Sequence, residues 1–306
     1  MQLDLEHRPK TYVVINPVSG TLEPDRKRQA IQSALEAHNF MFELYETTGE
    51  ENIRKVVREA VQQGFELFVA VGGDGTVAAV ASGLVDTKLP LVVVPTGTWN
   101  ALARNLDIPL QMEQALGLLF EEHRVRVIDV MQVEDNFHIL NISAGAGARA
   151  MRDVEREHKQ RFWVFADLWG GLTQLLGLQS YRFEVLIDNQ QTSFRALEVM
   201  VANSRIIGLK SLQLDPDIRM DDGKLNVCRL SANNLLDLLG LAMSIILGKQ
   251  KQNPKVLCLE AVDKVMIRAR RKLPVQADGD FIGYLPILVK VRPKALHIVT
   301  PILAEV

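Results

Sequence analysis

The residues best suited to chemistry are Gly72-Gly73-Asp74-Gly75-Thr76. They lie where a continuously apolar run, Leu67 to Val71, gives way to a small-residue helical stretch, Val77 to Leu84. In parallel α/β sheets ligands bind at that edge of the strands. Glycines let the backbone approach an anion closely, and the helix that follows presents free N–H groups and the positive end of its dipole. Asp74 is the odd member, because a carboxylate beside phosphate repels it unless the acid holds a metal or accepts a proton. The plain alternative is a tight turn in which Asp74 caps the helix. Two other segments repeat the same logic. Leu91 to Val94 leads into Pro95-Thr96-Gly97-Thr98-Trp99-Asn100, and Thr11 to Ile15 leads into Asn16-Pro17-Val18-Ser19-Gly20. Three anion-competent loops at one end of one sheet favour a phosphate site over three coincident turns.

Other segments carry chemistry of lesser specificity. Asp129 ends the run Val125-Arg126-Val127-Ile128, and Asp278-Gly279-Asp280 places two acids about a glycine. Gly145-Ala146-Gly147-Ala148-Arg149-Ala150 formally matches a dinucleotide fingerprint, but no parallel strand ending in an acid follows at the required distance. The six histidines show no metal spacing. Neither a Gly-Lys-Ser/Thr loop nor a Gly-x-Ser-x-Gly elbow is present.

The elements that must position these residues change character along the chain. Apolar strands at 11–15, 41–45, 67–71 and 91–94 alternate with helical stretches near 25–38, 50–63, 77–84 and 99–105, the pattern of a parallel sheet covered on both faces. From Arg124 the spacing turns to hairpins: 124–133 with 137–142, then 181–187 with 194–202. Strands are also expected at 256–260, 264–269, 285–291 and 295–299, with helices at 162–178 and 233–247. The reading is α/β plus β: an N-terminal nucleotide-binding α/β domain over 1–130, to which 291–306 could return, and a β-rich substrate domain over 131–290. The aromatic stretch Phe162 to Leu178 reads as a core or interface helix, with the wall of an acyl-chain cleft as the alternative. Arg268, Arg270, Arg271 and Lys272 read as a solvated charge run, with a face for anionic lipid as the alternative.

The 306 residues are 47% hydrophobic and 24% charged, which excludes a disordered chain. A formal charge of −2 argues against a nucleic-acid partner, whose binding draws on clustered positive charge. Cys228 and Cys258 are read as two buried thiols in a reducing cytosol. The first residues have no apolar signal segment. Leu235 to Leu247, the longest apolar stretch, falls short of the ~20 residues a spanning helix needs, so a soluble protein able to touch a membrane is expected.

These motifs, in this order, resemble the diacylglycerol kinase catalytic family, which includes sphingosine kinases and bacterial soluble lipid kinases. The resemblance rests on Asn-Pro-x-Ser-Gly at 16–20, Thr47-Thr48, Gly-Gly-Asp-Gly-Thr at 72–76, and Pro-x-Gly-Thr-x-Asn-x-x-Ala-Arg at 95–104. It continues in the loose Asn141 to Gly147 segment, in Pro216 to Leu225 with its Asp-Asp-Gly, and in Asp278-Gly279-Asp280 where the family has Asp-Gly-Glu. It implies a phosphofructokinase/NAD-kinase-like three-layer α/β domain followed by a β-sandwich-like domain. It also implies ATP- and Mg²⁺-dependent phosphorylation of a diacylglycerol- or sphingoid-like alcohol.

On that resemblance Asn16, Pro17, Ser19, Gly20, Thr48, Gly72, Gly73, Gly75, Thr76, Gly97, Thr98 and Asn100 would line the nucleotide. Asp280 would accept the proton, Asp74 would be the essential acid, and Asp129 would join its network. Asp222, with the carbonyls of Arg219 and Lys224, would form a structural magnesium site. The implied partners are a nucleotide and a lipid at a membrane surface; a cytoplasmic or peripheral location follows, and a homodimer is compatible. Two positions depart from the family: Ala79 stands where an acid usually follows the glycine segment, and Asp280 is one methylene shorter than Glu. An NAD kinase, which shares Gly-Gly-Asp-Gly, and a silent nucleotide- or lipid-binding regulator therefore stay open.

Overall fold

The computed structural model describes residues 8–149, 179–206, 213–232 and 234–302. The chain divides into two compact units, one running to Asp129 and resuming at Pro293, the other spanning Val130–Arg292.

In the first unit β1 (Thr11–Ile15) lies between β2 (Phe42–Glu46) and β3 (Leu67–Gly72), and β4 (Pro90–Pro95) follows β3, all parallel. The last part of β16 (Ile287–Pro301) adds a further parallel strand, pairing His297 and Ile298 with Pro90 and Leu91. Every residue of β1, β3 and β4 is buried, as their unbroken apolar runs require of strands covered on both faces. Helices α1 (Pro24–Ala37), α2 (Ile53–Gln62), α3 (Asp74–Leu84), α4 (Ala101–Asn105) and α5 (Met112–Gly117) fill the connections. Proline opens α1, where its missing N–H is harmless. The side chain of Asn52 caps α2 by accepting from Lys55 N–H at 3.1 Å. Because β1, β3 and β4 are parallel, the loops that follow them leave the same edge of the sheet.

The second unit is antiparallel. One sheet runs β12-β11-β10-β7-β14-β15, built from β7 (Asn141–Gly145), β10 (Glu198–Ala202), β11 (Leu225–Leu230), β12 (Val256–Ala261), β14 (Pro274–Ala277) and β15 (Asp280–Tyr284). The other places β8 (Tyr181–Ile187) between β9 (Gln190–Ala196) and β13 (Lys264–Ala269), with the first part of β16 beyond β13. Ile142, Val199, Val201, Val227 and Val275 of the first sheet and Phe183, Val185, Val265 and Val289 of the second share one buried cluster. That is the packing of a β-sandwich. Helix α6 (Leu235–Ile246) joins β11 to β12.

Several elements differ from the sequence reading. Helix α3 begins at Asp74, so most of the glycine segment forms its first turn. The hairpin after Arg124 closes between β5 (His123–Val133) and the short β6 (Asn136–His138), and β7 leaves for the other sheet. The two strands expected near the C-terminus are one, β16, with Lys294 at φ +53 inside it. The expected helix at 162–178 lies outside the described residues. Cys228 and Cys258 form a disulfide rather than two thiols, because the β11–β12 register sets them directly opposite, with Cα atoms 4.0 Å apart. That pairing removes the thiol-based reason for a reducing compartment.

Candidate phosphoryl-transfer site

The edge after β1, β3 and β4 is stitched together by the residues singled out in the sequence. The Asn16 amide donates to the Thr76 hydroxyl at 3.1 Å, and its oxygen accepts from Val18 N–H at 3.1 Å. The hydroxyls of Ser19 and Thr96 share a short hydrogen bond. Thr96 N–H donates to the Gly72 carbonyl at 2.9 Å. Gly20 (φ +77) passes so close to the third loop that a Cβ there would stand 2.3 Å from the Thr96 carbonyl oxygen. At Gly97 a Cβ would fall 2.6 Å from Gly73 Cα, so backbone meets backbone between the second and third loops. Asn100, at φ +48, turns its side chain back onto Gly97, accepting from its N–H at 2.9 Å and donating to its carbonyl at 2.8 Å.

The acid of the segment is not the cap of its own helix. Gly73 occupies that position without a side-chain hydrogen bond. Asp74 instead accepts from Ala101 N–H at 2.6 Å, the first N–H of α4. Thr98 and Gly75 are exposed beside it. Thr48 is exposed at the end of β2, where its N–H and hydroxyl both donate to Glu51. That hydroxyl contact is the leading cause holding the Glu51 carboxyl below the usual range.

Sequence reading missed Lys27. Its ammonium is fully enclosed and donates to the carbonyls of Asn16 (3.0 Å), Pro17 (3.2 Å) and Ser19 (2.6 Å), so it clamps the first loop from behind. Burial pushes its pKa down. The signal was there: Lys27, Ile31 and Leu35 recur every fourth residue on the buried face of α1. A lysine on an apolar stripe needs an internal partner.

Asp129 is fully buried in the middle of β5, not at a strand end, and accepts from Lys294 N–H at 2.8 Å. It thereby holds the positive-φ residue of β16 in the same unit.

In the second unit Asp278 and Gly279 form the two-residue turn between β14 and β15, with φ +52 and +100. Asp278 accepts from the N–H groups of Ile139 (2.7 Å), Leu140 (2.8 Å) and Asn141 (3.0 Å). This fastening fixes Asp280 as the first residue of β15, with part of its surface in solvent. Desolvation, and then the negative charge of Asp278, raise the Asp280 carboxyl above the ordinary aspartate range. His138, unnoticed in the sequence, faces Asp278 at 4.0 Å, and burial lowers its pKa.

Asp222 accepts from Lys224 N–H at 3.1 Å around Gly223 (φ +77), while the Arg219 guanidinium reaches Asp221 at 3.2 Å and the Lys224 ammonium reaches Glu260 at 2.7 Å. Among the described residues no three His, Cys, Asp or Glu side chains gather as a metal cage. The donors present are carboxylate oxygens, which suit Mg²⁺ held by one or two protein ligands with phosphate and water completing the shell.

Comparison with known proteins decides the family. A model described as the diacylglycerol kinase catalytic domain matches residues 10–133, and one described as the YegS C-terminal NAD kinase β-sandwich-like domain matches 141–300. The chain belongs to the diacylglycerol kinase family. A protein of Staphylococcus carnosus named diacylglycerol kinase is 26% identical over 299 residues, 96% of each chain. One of Bacillus subtilis with the same name is 24% identical over 291 residues, 94% of this chain and 95% of that one. A crystal structure from Bacillus anthracis strain Sterne, described as a diacylglycerol kinase, shares the fold with a TM-score of 0.71 at 18% identity, covering 95% of this chain and 97% of that one.

No described helix is long and apolar enough to cross a membrane.

Proposed function

We propose that this kinase transfers the γ-phosphoryl group of ATP to a hydroxyl of a diacylglycerol- or sphingoid-like lipid, working in the cytoplasm or at a membrane surface. The observation that carries the reading is the stitched edge after β1, β3 and β4. There backbone meets backbone at Gly73 and Gly97, and a Cβ at Gly75 in the first turn of α3 would meet nothing within 4 Å, so a phosphate could approach the free N–H groups of that turn. Asn16, Pro17, Ser19, Gly20, Gly72, Gly73, Gly75, Thr76, Gly97, Thr98 and Asn100 form or flank the nucleotide cradle, and Thr48 borders it.

Phosphoryl transfer asks a protein mainly to position the reactants and to neutralise oxygen charge. Mg²⁺, when bound, supplies that neutralisation, with Asp74 the carboxylate best placed in the cradle to receive it and Asp222 the candidate for a structural ion. The lipid hydroxyl gives its proton to Asp280 as its oxygen bonds to the γ-phosphorus. The bond from that phosphorus to the β–γ bridging oxygen breaks, and ADP leaves. A carboxyl raised by partial burial is a better proton acceptor than an ordinary aspartate.

The test is incubation of purified protein with Mg²⁺, γ-labelled ATP and either a mixed lipid extract or NAD. Label in the organic phase supports the proposal. Label on NAD overturns it in favour of the NAD kinase reading, which the description of the second domain keeps in view. Nucleotide binding without transfer to either points to the silent regulator that Ala79 suggests.

A further inference from the structure

Helix α6 is built the wrong way round for a protein surrounded only by water. Leu236, Leu239, Met243, Ile246 and Leu247 are exposed by 78%, 48%, 50%, 57% and 60%. Their spacing lines them along one face of the helix. A surface helix normally turns such a stripe inward. Here the opposite side faces the protein, and it does so largely through polar contacts. The Lys255 ammonium pairs with Asp237 at 3.0 Å, and the Asn253 amide donates to the Ser244 hydroxyl at 2.9 Å. Among the described side chains of the helix, Leu241 alone is buried. The helix is held by its polar side and displays its apolar side.

Charge says what that side meets. From Leu238 through Leu259 the sequence holds no Asp or Glu, but it holds Lys249, Lys251 and Lys255. Asp237, the one acid of α6, lies off the exposed stripe and is neutralised by Lys255. Lys251 pairs with Asp215 and Asp217, and Lys249 is exposed just beyond the apolar face. An apolar stripe that itself carries no acid, with the exposed Lys249 at its end, complements an anionic bilayer surface, with leucines at the acyl boundary and that ammonium among the headgroups. A second copy of the chain fits less well, since five side chains on one helix fall far short of the roughly 20–30 residues a side that stable dimers use.

We infer that α6 lies in the plane of an anionic membrane leaflet and docks this protein onto it through Leu236, Leu239, Met243, Ile246 and Leu247, with Lys249 at the headgroups. The purpose of such docking rests on the lipid-kinase reading. The surface itself is tested without it.

The experiment is cosedimentation of the full chain with phosphatidylcholine vesicles, with and without phosphatidylglycerol. Wild type sediments, more strongly when phosphatidylglycerol is present. Leu239→Glu with Met243→Glu weakens binding about tenfold or more, since each change puts a charge where an apolar side chain was buried in lipid. Lys249→Glu weakens only the phosphatidylglycerol-dependent part. Circular dichroism and ATP binding show that the variants are folded, and Ala242→Glu beside the stripe adds a second disruption should the double variant misfold. Wild type that does not bind vesicles overturns the inference, as does a folded double variant that binds like wild type. So does a wild-type dimer that the double variant splits without any change in vesicle binding. Transfer to short-chain diacylglycerol dispersed below its aggregation limit is measured in parallel. Its absence with vesicle binding intact overturns the kinase reading alone, and its presence with vesicle binding absent overturns the docking surface alone.

Discussion

The carboxylate of Asp74 accepts from the N–H of Ala101 across 2.6 Å, so the acid of one glycine segment caps the helix of the next. The two roles of this acid, charge and cap, separate by substitution. In Asp74→Asn the side-chain oxygen still accepts from Ala101 and only the charge is lost. Transfer is expected to fall by at least ~100-fold, the scale of losing one electrostatic group at a transition state, with melting temperature nearly unchanged. Asp74→Ala loses both roles and in addition costs about 1 kcal/mol of stability, the usual worth of a cap. Initial rates and thermal melts on both variants check this; near-normal activity in Asp74→Asn sinks the assignment.

The glycines of the cradle are not equivalent. A Cβ at Gly97 would meet Gly73 Cα at 2.6 Å, and backbone cannot step aside as a side chain can. Gly97→Ala is expected to destabilise by about 1–3 kcal/mol, as overpacking does, and to impair ATP binding. At Gly75 a Cβ would meet nothing within 4 Å. Gly75→Ala is therefore expected to keep full stability. Paired denaturation curves decide it, and equal losses at the two positions refute the close approach.

Lys27 is expected to matter to the nucleotide without touching it. Replacing it with Met leaves the carbonyls of Asn16, Pro17 and Ser19 without their ammonium donor. Losing a charged hydrogen bond to half-buried acceptors costs about 1–3 kcal/mol, and the loosened loop should raise KM for ATP more than it lowers kcat. A variant with reduced kcat and unchanged KM speaks against loop positioning.

The acid limb of activity should report Asp280. Its carboxyl is raised by desolvation and by Asp278, so kcat/KM should begin to fall with acidification at a higher pH than an ordinary aspartate would give. Asp280→Asn should abolish that limb along with transfer. Asp280→Glu, which keeps a carboxylate there on one more methylene, should keep activity. A pH profile unchanged in a still-active Asp280→Asn removes the residue from the role of proton acceptor.

The sequence revealed the α/β-then-β order because unbroken apolar strands and alternating hairpins have different periods. Leu67 to Val71 and Tyr181 to Ile187 show the contrast. The cradle is legible because glycine and hydroxyl recur after each of the three strands, with an acid in the second loop. What stayed hidden depends on tertiary register. The Cys228–Cys258 bond needs the β11–β12 pairing across 30 residues. The Ala101 partner of Asp74 needs the turn of Asn100 back onto Gly97. Asp280 is legible as an acid, but its neighbours are not: His138 is 140 positions from Asp278, and the three N–H groups that fix the turn are nearly as far.

Glu198 gives the sharpest pH prediction for stability. It is buried at the start of β10 and pairs in register with Gly145; one oxygen accepts from Gly147 N–H at 2.8 Å, and the carboxyl lies against the Ser143 side chain and the Ala146 and Ala148 N–H groups. Burial raises its pKa from 4.5 to about 7. The folded state therefore binds this proton more tightly than the unfolded chain does. Below the unfolded value both states are protonated and the stabilisation is fully present. It is lost as pH rises from about 4.5 to about 7 and stays lost above that. The loss is at most roughly 3–4 kcal/mol, from ~1.4 kcal/mol per pKa unit. Gln at this position keeps an acceptor for Gly147 without the ionisation. The difference in unfolding free energy between wild type and Glu198→Gln should thus shift in favour of the variant across this window and be flat on either side. Denaturant unfolding at pH values spanning the window measures it; a difference that does not vary with pH shows that Glu198 titrates like an exposed glutamate.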